Sequence, residues 1–248
     1  MPHDFDLLAI GAGSGGVALT RRAGLHGARA AAIEGSRGSR RCRPRGCVPK
    51  KLLMYAAQYG DAMQEATGYG WTLQAAPRFE MSRWAAAKAA ETARLEAVYR
   101  RLLKDGGVAL FEGHARFVDP HTVEVGGRRV SARHIVIATG ASPVHDSIPG
   151  IESCPTSDDL LDLTALPASA VLIGGGYIAC EFASMLARLG LVVTLLYRDR
   201  LPLRGFDADL RTRAAAALAE AGIVLRSGEV TAGGCRCSVG SRSTRRGR

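Results

Sequence analysis

Two glycine-rich turns constrain the fold of this 248-residue chain more than any other feature. The first has the spacing G-x-G-x-x-G over Gly11–Gly16, after the apolar run Phe5–Ile10 and before a helical pattern. Glu34 closes the next apolar run, at the spacing expected for an acid that binds a ribose in a β-turn-α-β unit. Such glycines permit a tight turn and let a pyrophosphate approach the backbone at the helix N-terminus. The sequence therefore predicts a dinucleotide-binding unit at its start.

A second turn of the same kind lies at residues 174–179, where the spacing is G-x-G-x-x-A. The two turns differ at the end of the strand that follows each of them. Glu34 has its counterpart at Tyr197, which is followed by Arg198 and, soon after, by Arg204. A carboxylate accepts hydrogen bonds from free ribose hydroxyls and repels a 2′-phosphate, whereas arginine binds that phosphate. We therefore expect a dinucleotide with an unmodified ribose at the first turn and NADP at the second.

Two cysteines, Cys42 and Cys47, lie between the turns in the segment C-R-P-R-G-C, where the helical pattern Cys47–Ala66 begins. A helix N-terminus and nearby cations favour the thiolate that carries out redox chemistry, and the spacing fits a redox pair better than a structural crosslink. A zinc site needs further ligands at regular spacing, and Cys235 and Cys237 make a poor second half. The sequence therefore predicts redox-active cysteines and no metal site.

The net charge of +10 comes from two short arginine-rich segments. Residues 35–45 and 233–248 each hold five arginines and no acid, and the rest of the chain carries equal numbers of bases and acids. This distribution disfavours nucleic-acid binding. No apolar run approaches the roughly 20 residues of a membrane span, the N-terminus lacks a secretory pattern, and the cysteines are too few for a disulfide scaffold. We expect a cytoplasmic protein without nucleic-acid or membrane partners.

The remaining patterns alternate between helices and strands. They predict a helix over residues 82–104, a β-meander over 108–131, a buried strand over 134–138 and a second β-turn-α-β series from residue 170. The sequence thus predicts an α/β, Rossmann-like three-layer fold with two tandem dinucleotide-binding units, incomplete at its C-terminus. The predicted domains are residues 1–150 for the first unit, 151–232 for the second, and an unstructured basic tail over 233–248.

Five segments form a recognisable set: Gly11–Gly16, Gly46–Lys51, Ala138–Pro143, Gly174–Ala183 and Leu203–Asp207. Together they resemble the pyridine nucleotide-disulfide oxidoreductase family, and in particular its members that reduce glutathione disulfide. The resemblance covers about residues 4–232. Dihydrolipoamide reductases usually have serine in place of Lys50 and an acid at the second strand end, so these and mercuric reductases are the less favoured alternatives within the family.

The resemblance implies an enzyme with FAD in the 1–150 domain and NADPH in the 151–232 domain. Electrons would pass from NADPH through FAD to a Cys42–Cys47 disulfide, with Cys42 attacking glutathione disulfide and Cys47 contacting the flavin as a thiolate. Lys50 would pair with Glu181 beside the flavin, and Tyr177 would cover the nicotinamide pocket. The cofactor-binding residues implied by the resemblance are Gly11, Gly13, Ser14, Gly15, Gly16, Glu34, Lys50, Ala115, Thr139, Gly140, Gly174, Gly175, Gly176, Ile178, Ala179, Glu181, Arg198 and Arg204.

The chain departs from the family in both arginine-rich segments. Before Cys42 the family has Gly-Gly-Thr, and here Ser39, Arg40 and Arg41 stand in those places. Family members are also nearly twice as long, and their later residues build the homodimer interface and supply a His-Glu pair as general acid. We hypothesise that both segments come from shifted reading frames. The alternative function is a catalytically inactive fragment with an unfinished sheet edge.

Overall fold

The computed structural model describes residues 3–35, 46–144, 148–231 and 234–239. The chain divides into two compact units. Unit 1 comprises Met1–Pro49 and Ala86–Ser142, and unit 2 comprises Lys50–Ala85 and Pro143–Arg248. Among the described helices, none is long and apolar enough to cross a membrane.

Unit 1 is built on one six-stranded sheet. Its strands are β1 (Phe5–Ile10), β2 (Ala30–Glu34), β3 (Ala109–Glu112), β4 (Ala115–Asp119), β5 (Thr122–Val125) and β6 (Arg128–Ile137). Their order across the sheet is β3-β2-β1-β6-β5-β4. Strands β3, β2, β1 and β6 pair in parallel along this order. Strands β5 and β4 extend the sheet beyond β6 in antiparallel fashion. The carboxyl ends of β1, β2 and β6 therefore meet at one edge, which is where ligands bind in open α/β sheets.

The core of unit 1 lies on both faces of the parallel strands. Ala30 and Ala32 of β2 pack with Val17 of helix α1 (Ser14–Leu25) and Leu103 of helix α3 (Met81–Asp105). On the opposite face, other residues of β1 and β2 pack against β5: Leu8, Ala31, Ile33, Val123 and Val125. Burial on both faces is typical of parallel strands and explains why β2 is an unbroken apolar run before Glu34.

Strand β6 differs from the sequence prediction of a meander ending at residue 131 and a separate strand over 134–138. It is one ten-residue strand with two partners. Its first part pairs antiparallel with β5, from Val125↔Arg128 to Thr122↔Ser131, and its second part pairs in parallel with β1 from Phe5↔Ala132 onward. The chain stays extended between the two pairings, so the change of partner leaves no turn signal in the sequence.

Unit 2 contains a second sheet, with strands β7 (Ser169–Ile173), β8 (Val192–Tyr197), β9 (Val224–Thr231) and β10 (Gly234–Val239). The order is β10-β9-β8-β7, with β7, β8 and β9 parallel and β10 antiparallel to β9. Helices α4 (Ser157–Leu161), α5 (Tyr177–Arg188) and α6 (Ala208–Glu220) connect or flank these strands. Both units therefore have the strand-turn-helix-strand order, which confirms the predicted α/β fold with two tandem Rossmann-like units.

Two features of unit 2 differ from the sequence predictions. Helix α2 (Cys47–Ala66) belongs to unit 2 from Lys50 onward, because Leu53 and Ala57 pack with Phe182 and Met185 of α5. The prediction placed this helix in the 1–150 domain. Strand β10 begins at Gly234, where an unstructured tail from residue 233 was expected. Antiparallel pairing to β9 uses backbone groups and needs no apolar side-chain period, which was the signal sought in the sequence.

Candidate active site

The first glycine turn lies at the carboxyl edge of the unit 1 sheet. Gly11 has φ +112°, and a Cβ there would collide with the carbonyl group of Ala138, the residue that follows β6. A Cβ on Gly16 would likewise collide with the carbonyl oxygen of Gly11. Helix α1 thus approaches the sheet so closely that only glycine fits at these two positions.

The N-terminus of α1 is open to a ligand. Gly13 is the N-cap, and among the described residues no side chain caps it by a hydrogen bond. A Cβ at Gly13 or Gly15 would have no described atom within 4 Å. The backbone is therefore uncrowded at Gly13 and Gly15, and no described side chain caps the first N–H groups of the helix, as anion binding requires.

Glu34 lies beside this turn, as the spacing predicts. Its Oε2 accepts a hydrogen bond from the Ala12 N–H at 3.3 Å, at the end of β2. Thr139 and Gly140 follow β6 at the same edge, because the Ala138 N–H donates to the Ile10 carbonyl oxygen at 2.8 Å. The structure thus brings the turn, the acid and Thr139–Gly140 together. Ala115 begins β4 and is partly buried in its pairing with Val125.

The second glycine turn repeats this arrangement in unit 2. The Gly174 N–H donates to the Leu196 carbonyl oxygen at 2.8 Å, and Gly176 is the N-cap of α5. The turn opens into a cleft of about 920 Å³. Gly174, Gly175, Gly176, Ile178, Ala179, Tyr197 and Arg198 are among the residues that line it. The predicted residue Tyr177 is exposed at the start of α5.

The end of β8 presents arginine where β2 presents glutamate. Tyr197 is buried, and burial raises the pKa of its hydroxyl, so it offers no charge at this edge. Arg198 is exposed and lines the cleft, and Arg204 is exposed in the following loop. The charge difference predicted between the two strand ends is therefore present at the surface.

Arg211 of α6 holds the loop that carries Arg204, and the sequence did not single it out. Its Nε donates to the Pro202 carbonyl oxygen at 2.8 Å, and its Nη2 donates to the Leu201 carbonyl oxygen at 2.6 Å and to Asp199 at 2.7 Å. Two hydrogen bonds lower the pKa of Asp199. The larger effect comes from the Arg200 backbone N–H and the next largest from the Arg211 side chain. No spacing rule marks Arg211, because its main partners are carbonyl groups of an irregular loop.

Lys50 of α2 and Glu181 of α5 form an ion pair. The Lys50 Nζ lies 2.9 Å from both carboxylate oxygens of Glu181, and the two side chains are 23% and 41% exposed. Leu53 and Phe182 pack in the core beneath them. The pairing implied by the resemblance is therefore present, and it links the helix that begins at Cys47 to the helix that begins at the second glycine turn.

Cys47 is the first residue of the 20-residue helix α2 and carries an exposed, free thiol. Cys42 lies outside the described residues, as do Ser39, Arg40 and Arg41. The predicted Cys42–Cys47 pair therefore stays a prediction. Cys180 is buried in the core around α5, and burial raises the pKa of its thiol. Within the described ranges, no group of three or more His, Cys, Asp or Glu side chains is arranged to hold a metal ion.

Comparison with protein families decides the relationship. The family model described as pyridine nucleotide-disulphide oxidoreductase matches residues 5–234. The chain belongs to the pyridine nucleotide-disulphide oxidoreductase family.

Curated proteins with similar sequences include glutathione reductases. The glutathione reductase of Burkholderia cepacia is 50% identical over 226 residues, which cover 91% of this chain and 50% of that protein. The chloroplastic/mitochondrial glutathione reductase of Pisum sativum is 43% identical over 83% of this chain and 39% of that protein. The glutathione reductase of Nostoc sp. is 40% identical, and the match covers 86% of this chain and 46% of that protein. The chain thus spans about half the length of the curated relatives it matches.

Solved structures of a flavoprotein disulfide reductase have a similar fold. The HOCl-induced flavoprotein disulfide reductase RclA from Escherichia coli is 31% identical, with a TM-score of 0.75 over 91% of this chain and 50% of that one. Its Cu(II) complex gives a TM-score of 0.74 at 30% identity. The family implies a flavin and a pyridine nucleotide, and the described residues fit two nucleotides. Each glycine turn leaves its helix N-terminus uncapped by described side chains, and the cleft at the second has the size of small-molecule sites, roughly 300–1,000 Å³.

Proposed function

We propose that this chain provides the dinucleotide-binding and redox half of an NADPH-dependent glutathione-disulfide reductase, a flavoprotein that uses FAD and the Cys42–Cys47 pair. The observation that carries the proposal is the Lys50–Glu181 ion pair, at 2.9 Å. It joins the cysteine-bearing helix α2 to helix α5, whose N-terminus forms the second nucleotide turn. The similarity to glutathione reductases supports the choice of substrate. A cytoplasmic location and a family-type homodimer belong to the same proposal.

The two turns would hold different nucleotides because their charges differ. At the first turn, the N–H groups after Gly13 would bind the FAD pyrophosphate, and Glu34 would accept hydrogen bonds from a free ribose. At the second, the N–H groups after Gly176 would bind the NADPH pyrophosphate, and Arg198 with Arg204 would bind the 2′-phosphate. At the first turn Glu34 would repel a 2′-phosphate, so we expect NADPH to bind at the second turn and not at the first.

When bound, FAD would accept a hydride from NADPH and pass two electrons to a disulfide. Reduction of the Cys42–Cys47 disulfide takes two electrons and a proton and leaves a Cys42 thiol and a Cys47 thiolate. Once deprotonated, the Cys42 thiolate attacks glutathione disulfide, forms a mixed disulfide and releases one glutathione thiolate, which takes up a proton. Cys47 then attacks Cys42, releases the second glutathione and restores the disulfide. The net reaction consumes one NADPH, one proton and one glutathione disulfide.

Lys50 and Glu181 would set the charge near Cys47. Lys50 lies three residues after Cys47 on the same helix, so both side chains project from neighbouring turns of one face. Because the Lys50 Nζ is shared between both oxygens of Glu181, the ammonium is held in one position and its charge is compensated. Such a pair is neutral overall and leaves no isolated cation in a partly buried place, so near Cys47 it would act through the fixed position of the ammonium and not through a net charge.

The test uses the full chain, purified with its flavin. We expect a flavin absorbance band and NADPH oxidation that depends on glutathione disulfide. Cys47→Ser should abolish the oxidation while the flavin band stays. Cys235→Ser is the matched control, because Cys235 lies outside every segment of the predicted site. This variant should keep the wild-type rate of NADPH oxidation. Unchanged turnover in Cys47→Ser would refute the proposed role of the cysteine pair.

A second candidate is a nucleotide-binding chain without reductase turnover of its own. One observation favours it: within the described residues, β7 has no strand on the side away from β8. In that case the purified chain would be colourless or would hold flavin without oxidising NADPH. The same absorbance and turnover measurements separate the two candidates.

A further inference from the structure

The loop after β8, which carries Arg204, is tied to the second glycine turn. The Leu203 N–H donates to the Gly175 carbonyl oxygen at 2.6 Å, and the Leu203 side chain is buried in the core around α5. Leu203 has φ +59°, in the left-handed region that is unfavourable for a leucine. Such a conformation persists only where the surrounding structure holds it. The residue directly before Arg204 is therefore fixed against the second glycine turn.

Arg211 of α6 is the second anchor of this loop. Its side chain is 19% exposed, and its guanidinium donates to the carbonyl oxygens of Leu201 and Pro202 and to the carboxylate of Asp199. A planar guanidinium has several donors in a fixed arrangement, so it can serve these three acceptors from one position. The two anchors together therefore determine where Arg204 lies.

Asp199 places an acid close to the expected position of the 2′-phosphate. It follows Arg198 directly, and its side chain is 47% exposed. Hydrogen bonds from the Arg200 N–H and the Arg211 side chain lower the pKa of this carboxyl most, and the charge of Arg204 lowers it further. Arg204 therefore lies within electrostatic reach of the carboxylate. An uncompensated carboxylate there would repel a 2′-phosphate and would attract the arginine that is to bind it.

The ion pair with Arg211 compensates this carboxylate. The Arg211 Nη2 lies 2.7 Å from the Asp199 Oδ2. Arg204 is exposed, and within the part of the chain that the structure describes it forms no ion pair. The guanidinium of Arg204 is therefore available to an anion, although an aspartate lies in the same loop.

We propose that Arg211 is a positioning residue for the choice of NADPH over NADH: it neutralises Asp199 and holds the loop so that Arg204 can bind the 2′-phosphate. The inference rests on the proposed function only for the assignment of NADPH to the second turn. The guanidinium of Arg211 already serves three acceptors within the loop, so it would act through them and not by touching the nucleotide. Its loss should weaken binding only of nucleotides that carry a 2′-phosphate.

The test compares two ligands that differ only in the 2′-phosphate. NADP⁺ and NAD⁺ are titrated into the full chain by calorimetry, which requires no turnover. The wild type should bind NADP⁺ about tenfold or more tightly than NAD⁺. In Arg211→Gln we expect this preference to fall about fivefold or more, while the affinity for NAD⁺ changes by no more than about twofold. Arg213→Gln is the matched control, because Arg213 is an exposed arginine of the same helix that takes no part in these hydrogen bonds, and it should keep the wild-type preference.

Asp199→Asn distinguishes positioning of Arg204 from a general structural role. In Arg211→Gln the uncompensated carboxylate competes for Arg204, so adding Asp199→Asn should restore the preference for NADP⁺ about threefold or more. Loss of loop structure alone would not be restored by this second change. Arg211→Lys keeps a positive charge beside Asp199 but reaches fewer of the three acceptors, so its preference should lie between those of the wild type and Arg211→Gln. It replaces Arg211→Gln if circular dichroism shows that the glutamine variant is unfolded.

The outcomes separate this inference from the proposed function. A wild-type preference for NADP⁺ that Arg211→Gln and Arg211→Lys both leave unchanged would overturn the role of Arg211 and leave the NADPH assignment in place. Equal losses of affinity for NADP⁺ and NAD⁺, or a preference that Asp199→Asn does not restore, would do the same. A wild-type chain that binds both nucleotides equally would overturn the NADPH assignment and the role of Arg211 together.

Discussion

The Lys50–Glu181 pair predicts a measurable coupling between helices α2 and α5. We consider Lys50→Gln, Glu181→Gln and the double variant, which together form a double-mutant cycle. Glutamine keeps most of the side-chain length and removes the charge, so the cycle isolates the ionic interaction. Its two 2.9 Å contacts and the 23% exposure of Lys50 place it between a solvated pair and a buried one.

The magnitude follows from that position. Exposed pairs contribute about 0–1 kcal/mol, and charge-assisted bonds that are partly shielded lie above that range. Because Glu181 is 41% exposed, screening by water discounts the value, and we expect a coupling free energy of about 1–1.5 kcal/mol. For a chain of this size, each kcal/mol corresponds to roughly 2–4 °C in Tm.

The assay is denaturant unfolding of the four proteins at low and high ionic strength. The surface pair Arg94–Glu91, with 62% and 35% exposure, provides a matched control with an expected coupling of about 0.3 kcal/mol. Salt should weaken the control pair more than the Lys50–Glu181 pair. A coupling for Lys50–Glu181 no larger than that of the control would refute the idea that this pair holds α2 on α5.

Three further predictions follow from the turns and from one surface carboxylate. Replacing Arg198 and Arg204 together by Gln should weaken NADPH binding about tenfold or more and change NADH binding by no more than about twofold. Titration of the flavoprotein with each nucleotide measures both affinities. Equal losses of affinity for the two nucleotides would contradict the assignment of these arginines to the 2′-phosphate. Gly16→Ala should destabilise unit 1 by about 2 kcal/mol or more because of the collision with a neighbouring carbonyl, whereas Gly15→Ala, which meets open space, should leave the unfolding free energy nearly unchanged. Backbone and side-chain hydrogen bonds from Ser131 lower the pKa of Asp4 from its ordinary value of 3.8. Ionised Asp4 therefore contributes its full stabilisation above pH 3.8 and loses it as the pH falls through the lowered pKa. The stability of Asp4→Asn, measured by acid unfolding, should depend less on pH in that range.

The parts of the site that lie within one β-turn-α-β unit were predictable from the sequence. Glu34 lies beside the first turn because the length of one helix and one strand fixes its distance from Gly11. The same spacing places Tyr197 at the end of β8, and Arg198 follows it directly. Local geometry determines these positions, and local sequence is sufficient to find them.

Contacts across long stretches of chain were not predictable from spacing. Lys50 and Glu181 are 131 residues apart, and only the family resemblance paired them. Arg211 binds loop carbonyls whose path the sequence does not reveal. Strand β6 changes partner from β5 to β1 without a turn. Strand pairing is made by backbone hydrogen bonds and does not require particular side chains, so the sequence does not show where the partner changes.

The two units also show why the same local motif reaches different degrees of burial. In unit 1, β1 lies between two strands and packs on both faces, so Leu8 and Ala9 lose all contact with water. In unit 2, β7 has an equally apolar sequence, S-A-V-L-I, but Val171 and Ile173 keep about half of their surface or more exposed. Apolar residues in a strand are favourable only when a neighbour covers them. Within the described residues β7 pairs with β8 alone, and this accounts for the exposure of Val171 and Ile173.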